Sequence, residues 1–238
     1  MITTILFDLD GTLLPVDMNI FIKEYLKGLN TKFKDYFEPN ELSKLVLECT
    51  KKMILSTDKD KTNSEVFFEN FYTKTTNAQE VLTPIFEDFY KNDFLKLKGL
   101  TNENKSIQES VRVLRDKGYE LVVATNPVFP RKAITNRIEW AGFNEEDFSF
   151  ITSFENMHFC KPNREYYKEI LDYIGKNPKE CIMVGNDVEE DMVAKEIGVQ
   201  TFLIEDNIIK RGNNLSNVDH KGSYQDFYNF VMNLPKRG

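Results

Sequence analysis

Short apolar runs alternating with helical stretches constrain this chain more than any other feature. Runs suited to buried strands lie at Thr4–Asp8, Glu120–Thr125, Phe148–Thr152, Glu180–Val184 and Gln200–Ile204. Apolar residues at helical spacing fill Ser106–Lys117, Arg131–Ala141, Arg164–Tyr173 and Glu189–Ile197 between and beside them. Strands this short and this apolar need cover on both faces. Alternation with helices supplies it, so the expected fold is α/β with a doubly wound parallel sheet. Gly118, Gly142, Gly175 and Gly198 each follow an expected helix closely, where a left-handed cap belongs. From Asn207 onward the chain reads as a loop and a final short helix, Tyr224–Met232.

Residues 16–98 break the pattern. They hold one glycine, Gly28, in 83 residues, and 13 of the 30 aromatic residues. Phe21 and Tyr25, Leu42, Leu45 and Val46, Phe67 and Phe71, and Ile85, Phe86, Phe89 and Tyr90 recur at helical spacing. About four helices are expected, broken near Pro39, Asp58–Asn63 and Asn77–Pro84. The aromatic stripes read as core packing. The chain therefore divides into an α/β core, residues 1–15 and 99–238, and an inserted all-helical domain, residues 16–98.

Composition narrows the function. With 31 basic and 38 acidic residues the formal charge is −7, which argues against a nucleic-acid partner. No apolar stretch approaches the roughly 20 residues that span a bilayer, so no membrane partner is expected. The three cysteines, Cys49, Cys160 and Cys181, fit neither a disulfide framework nor a zinc site. A cytoplasmic protein, monomeric or weakly self-associating, is the expectation.

Ligands of such sheets bind beyond the carboxyl ends of the strands. There the chain places Asp8-Leu9-Asp10-Gly11-Thr12, then Thr125 and Asn126, then Lys161, then Gly185-Asn186-Asp187 with Asp191. Singly each has an ordinary explanation: Asp-Gly forms turns, and Gly-Asn-Asp caps helices. Jointly they bring several carboxylates, a lysine and a hydroxyl to one edge. Crowded carboxylates stay ionised only around a cation. Oxygen ligands suit Mg²⁺, and the only two histidines, His158 and His220, form no ligand cluster. Lys161 adds a charge suited to phosphate.

This ordered set resembles the haloacid dehalogenase superfamily of aspartate-nucleophile hydrolases. Its signature is DxDGT, a Ser or Thr after a strand, a Lys, and a glycine-and-acid motif. Here these read Asp8–Thr12, Thr125, Lys161 and Gly185–Asp191. The resemblance covers residues 1–15 and 99–206, and implies a Rossmann-like core with residues 16–98 as the helical cap. It further implies a Mg²⁺-dependent phosphatase acting on a small phosphorylated metabolite. Asp8 would be the nucleophile, Asp10 the acid and base, and Thr125 and Lys161 the partners of the phosphoryl group. Thr12, Asn126 and Lys161 would lie on the substrate side. Mg²⁺ would be held by Asp8, the Asp10 carbonyl and Asp187, with Asn186 and Asp191 in support.

One departure stands out. Many relatives carry an aspartate directly after the motif glycine, where this chain has Asn186. Asp187, four residues before Asp191, is therefore taken as the metal ligand. Dehalogenases usually lack the second aspartate, so Asp10 favours phosphate chemistry. Sugar phosphomutases use a cap histidine, and residues 16–98 contain none. A catalytically idle binding module should have lost Asp8, Asp10 or Lys161. Residues 16–98 balance 13 lysines against 14 acids, a near-neutral surface that suits a small organic phosphate.

Overall fold

The computed structural model describes residues 1–212 and 218–237. Six strands carry the core: β1 (Thr4–Phe7), β2 (Glu120–Val123), β3 (Phe150–Ile151), β4 (Cys181–Gly185), β5 (Gln200–Ile204) and β6 (His220–Gly222). They form one parallel sheet in the order β3-β2-β1-β4-β5-β6. Along the chain run the helices α1 (Met18–Lys32), α2 (Glu41–Ile54), α3 (Asn63–Tyr72), α4 (Gln79–Asp88), α5 (Lys105–Asp116), α6 (Arg131–Trp140), α7 (Arg164–Ile174) and α8 (Tyr224–Asn233).

Successive strand residues point to opposite faces, and both faces are covered. Ile5, Phe7, Val123 and Val184 pack with α5, α6 and α8 through Ile107, Ile134 and Phe227. Leu6, Val122 and Met183 face the other way, onto Tyr166, Tyr167 and Ile170 of α7. The doubly wound parallel sheet expected from the alternation is the fold observed. β1 lies at its centre, with Ile5 opposite both Leu121 and Ile182. The switch in strand order at β1 puts its carboxyl end beside those of β2 and β4.

Between β1 and α5 the chain is helical. Thr62 and Glu65 form a reciprocal cap that starts α3. The break expected near Asn77–Pro84 ends sooner: α4 begins at Gln79 and runs through Pro84, which gives up one backbone bond in the middle of the helix while Leu82 and Phe86 on either side are buried. One π-helical turn at Phe89–Asp93 and a 3-10 stretch at Phe94–Leu100 lead back to the core. The two crossings lie side by side. Val16 pairs antiparallel with Thr101, and the Asn102 amide donates to the Pro15 carbonyl at 3.0 Å.

Two further expectations need correction. Glu189–Ile197 is not one helix; only Met192–Ile197 is helical, and it is 3-10. The Asp187 carboxylate accepts from the Glu189 and Glu190 amides at 3.0 and 2.9 Å, which fixes a turn instead. The tail also contributes β6, whose His220 and Lys221 are exposed and give no apolar signal.

Candidate active site

The motif residues converge at the carboxyl ends of β1, β2 and β4. The sheet ladder carries Asp8 to this edge, its amide donating to the Val184 carbonyl at 2.8 Å. Beyond it the chain turns sharply, with Gly11 at φ +84°, and the Gly11 amide donates to the Leu14 carbonyl at 2.7 Å. A side chain at Gly11 would be strained and would also meet Asn186 at 2.3 Å.

Lys161 sits between two carboxylates. Its Nζ donates to Asp8 Oδ1 at 2.8 Å and to Asp191 Oδ1 at 2.6 Å. All three side chains are almost entirely buried, Lys161 and Asp191 each 1 % exposed and Asp8 11 %. Burial raises Asp8 to about 6 and Asp191 to about 7, even against the attraction of Lys161. Burial also opposes the Lys161 charge, but Asp191 and Asp8 outweigh it and hold the ammonium well above the ordinary lysine range. Gly185 leaves room for this arrangement: a Cβ there would stand 2.1 Å from Asp191 Oδ2. That oxygen accepts from the Asp187 amide at 2.9 Å.

Thr125 lies at the start of the loop after β2. Its carbonyl is held by the hydroxyls of Tyr166 at 2.7 Å and Thr152 at 2.8 Å. Asn126 ties three segments together: its Oδ1 accepts from the Lys161 amide at 3.2 Å, and its Nδ2 donates to Glu190 at 2.9 Å. Thr12 turns its hydroxyl to Asn186 Oδ1 at 3.1 Å, and Asn186 Nδ2 donates to the Asn207 carbonyl at 2.7 Å. Asn186 is thereby engaged with the β1 loop and the tail.

Two arginines that sequence reasoning did not single out pair with the motif acids. Arg137 of α6, fully buried, pairs with Asp10 and lies over the Phe129 ring at 4.4 Å. Its Nε donates to the Ala133 carbonyl, while its Nη2 and Asp10 Oδ1 are buried without a partner among the described residues. A signal was available. Arg137 shares a helix face with Ile134, Ile138 and Ala141, and a cation on an apolar face requires a carboxylate. Arg211 pairs with Asp187 at 2.8 Å and lies 3.5 and 3.7 Å from Glu190 and Glu189. It follows the last motif by 20 residues, beyond the reach of any spacing argument.

Among the described residues no group of three or more His, Cys, Asp or Glu is arranged as a metal cluster. The donors nevertheless fit a hard cation in kind. Asp8 and Asp10 follow β1 and Asp187 follows β4 at one edge of the sheet, and with Asp191 these four carboxylates outnumber by one the three cations paired with them, Lys161, Arg137 and Arg211. His158 stays outside, its Nδ1 against Glu169 at 2.6 Å. Cys160 is a buried thiol pushed up by burial, and Trp140 is core.

The profile of haloacid dehalogenase-like hydrolases matches residues 5–204. The chain is 23% identical over 203 residues to pyrophosphatase PpaX of Halalkalibacterium halodurans, covering 85% of this chain and 83% of the relative. Among solved structures it is similar to a phosphatase from Thermococcus onnurineus, with TM-score 0.61, 18% identity and coverage of 99% and 100% of the two chains. It is similar also to L-2-haloacid dehalogenase from Xanthobacter autotrophicus, with TM-score 0.59, 12% identity and coverage of 98% and 100%. At these identities the structures speak for a common fold.

Proposed function

The chain belongs to the haloacid dehalogenase-like hydrolase family and is a hydrolase of its phosphatase type; from that premise we propose that it hydrolyses a small phosphate monoester through an aspartyl-phosphate on Asp8. The observation that carries this reading is the placement of Lys161 between Asp8 and Asp191 at the carboxyl end of the central strand. A lysine so held offsets the charge of a carboxylate and of a phosphoryl group brought against it.

In this mechanism an Asp8 oxygen attacks phosphorus in line with the leaving oxygen. The other Asp8 oxygen stays on Lys161. Asp10, held by Arg137, gives the leaving oxygen its proton and then takes one from the water that hydrolyses the aspartyl-phosphate. The Thr125 hydroxyl and neighbouring backbone amides hold the phosphoryl oxygens, and the Tyr166 and Thr152 hydroxyls fix that loop. Thr12 and Asn126 brace the phosphate side. Mg²⁺, held by Asp8, the Asp10 carbonyl and Asp187, would supply positive charge to the transferring group. Asn186 and Asp191 support that arrangement through Thr12 and Lys161. Residues 16–98 act as the cap, closing over the site and excluding water, with residues 1–15 and 99–238 as the catalytic core.

The test is hydrolysis of p-nitrophenyl phosphate with Mg²⁺ and with EDTA, followed by a panel of phosphorylated metabolites. Metal-dependent phosphate release is expected. Failure to release phosphate from every member of the panel would refute the reading.

A further inference from the structure

A cavity of about 690 Å³ lies between the helical layer and the loops that follow β2 and β3. Its walls are predominantly apolar, with Tyr25, Val46, Phe67 and Phe86 above and Val128 and Phe129 below. In volume and lining it belongs with small-molecule sites. Its position relates it to the chemistry. Val128 and Phe129 belong to the loop that carries Thr125 and Asn126, and the Val128 amide donates to the Asn126 carbonyl at 2.8 Å. The Phe129 ring carries the Arg137 guanidinium, which in turn pairs with Asp10. Two side chains, Phe129 and Arg137, thus stand between the cavity and Asp10, the group that would protonate a leaving alcohol, while the 125–130 loop borders both. A second phosphate or a sugar lodged there would lose water against hydrocarbon, whereas an apolar group would gain by burial.

We propose that this cavity receives the leaving group, and that the substrate class is the phosphate monoester of a hydrophobic alcohol. The inference rests on the phosphatase reading above. The ester P–O bond breaks, and the alcohol departs with the proton given by Asp10. Water then supplies the oxygen and proton that release phosphate and restore both aspartates.

Binding tests the cavity apart from turnover. Methyl, butyl and octyl phosphate, inorganic phosphate and pyrophosphate are titrated calorimetrically into the Asp8→Asn variant with Mg²⁺ present. Affinity is expected to rise about threefold to fourfold per methylene until the cavity is filled. Pyrophosphate is expected to bind no more tightly than inorganic phosphate. Thr50→Trp and Leu47→Trp, each introduced separately from the helical side of the cavity, should flatten the chain-length dependence and leave methyl phosphate binding unchanged. Equal affinity across the series, tighter binding of pyrophosphate than of octyl phosphate, or a chain-length dependence that survives both tryptophans would overturn the proposal. Absence of p-nitrophenyl phosphate turnover in the unmodified protein would instead count against the phosphatase reading, whatever the binding series shows.

Discussion

A carboxylate withdrawn from water keeps its charge only where a cation faces it, and Lys161 is shared by two. Asp8 and Asp191 are therefore both raised, by burial first, to about 6 and about 7. Their ordinary value is 3.8. Between that value and these the native chain binds more protons than the unfolded one. The stability contributed is complete below the unfolded value and is lost as pH rises through 6 to 7. In EDTA, the urea-derived unfolding free energy should fall between about pH 4 and pH 7, by at most about 1.4 kcal/mol per unit for each net proton. Asp191→Asn should flatten that fall, and a wild-type slope no steeper than the variant's would contradict the account. Arg137 makes a second prediction at this scale. Arg137→Met keeps much of the bulk but frees Asp10, so kcat on p-nitrophenyl phosphate should drop about tenfold or more with a smaller change in KM. Arg137→Lys should recover part of the loss. An unchanged kcat in the methionine variant would remove Arg137 from the mechanism.

The strand ends are where elements meet chemistry, and β4 shows how little space they leave. Gly185→Ala would drive a methyl into Asp191, which Lys161 and the Asp187 amide hold in place. The variant should lose about 1–3 kcal/mol in urea melts and most of its activity. Full activity would mean that Asp191 is free to move. The sheet was legible because β1, β2 and β4 are buried on both faces and read as continuous apolar runs. β6 was not, because its ladder is made by the backbone of exposed His220 and Lys221. The turn at 188–191 escaped periodicity for a related reason: side-chain bonds to Asp187, rather than apolar spacing, determine it. The ordered motifs located Asp8, Asp10, Thr125, Lys161 and Asp191 from their places after strands. Arg137 and Arg211 come from segments with no motif of their own, and only the folded chain brings them to Asp10 and Asp187.

At the scale of the whole molecule, the helical layer and the sheet meet through few polar ties. The Asn63 and Ser64 amides donate to the Met157 and Phe154 carbonyls at 2.8 and 2.7 Å, and Asn63 Nδ2 reaches the Phe159 carbonyl at 3.3 Å. Asn63→Ala should speed amide exchange in 153–160 while β1 and β4 stay protected; uniform acceleration would point instead to global destabilisation. A ligand that binds only the folded chain stabilises it by mass action, so Mg²⁺ should raise the Tm of the wild type. The rise should be smaller in Asp187→Asn, and equal shifts would place the metal elsewhere. Everything converges on whether Asp8 carries the phosphoryl group, and the direct measurement is mass spectrometry of protein acid-quenched during turnover of a phosphate monoester. One phosphoryl group is expected on the peptide containing Asp8, and none in Asp8→Asn. A phosphoryl group on another residue, or undiminished turnover by Asp8→Asn, would contradict it.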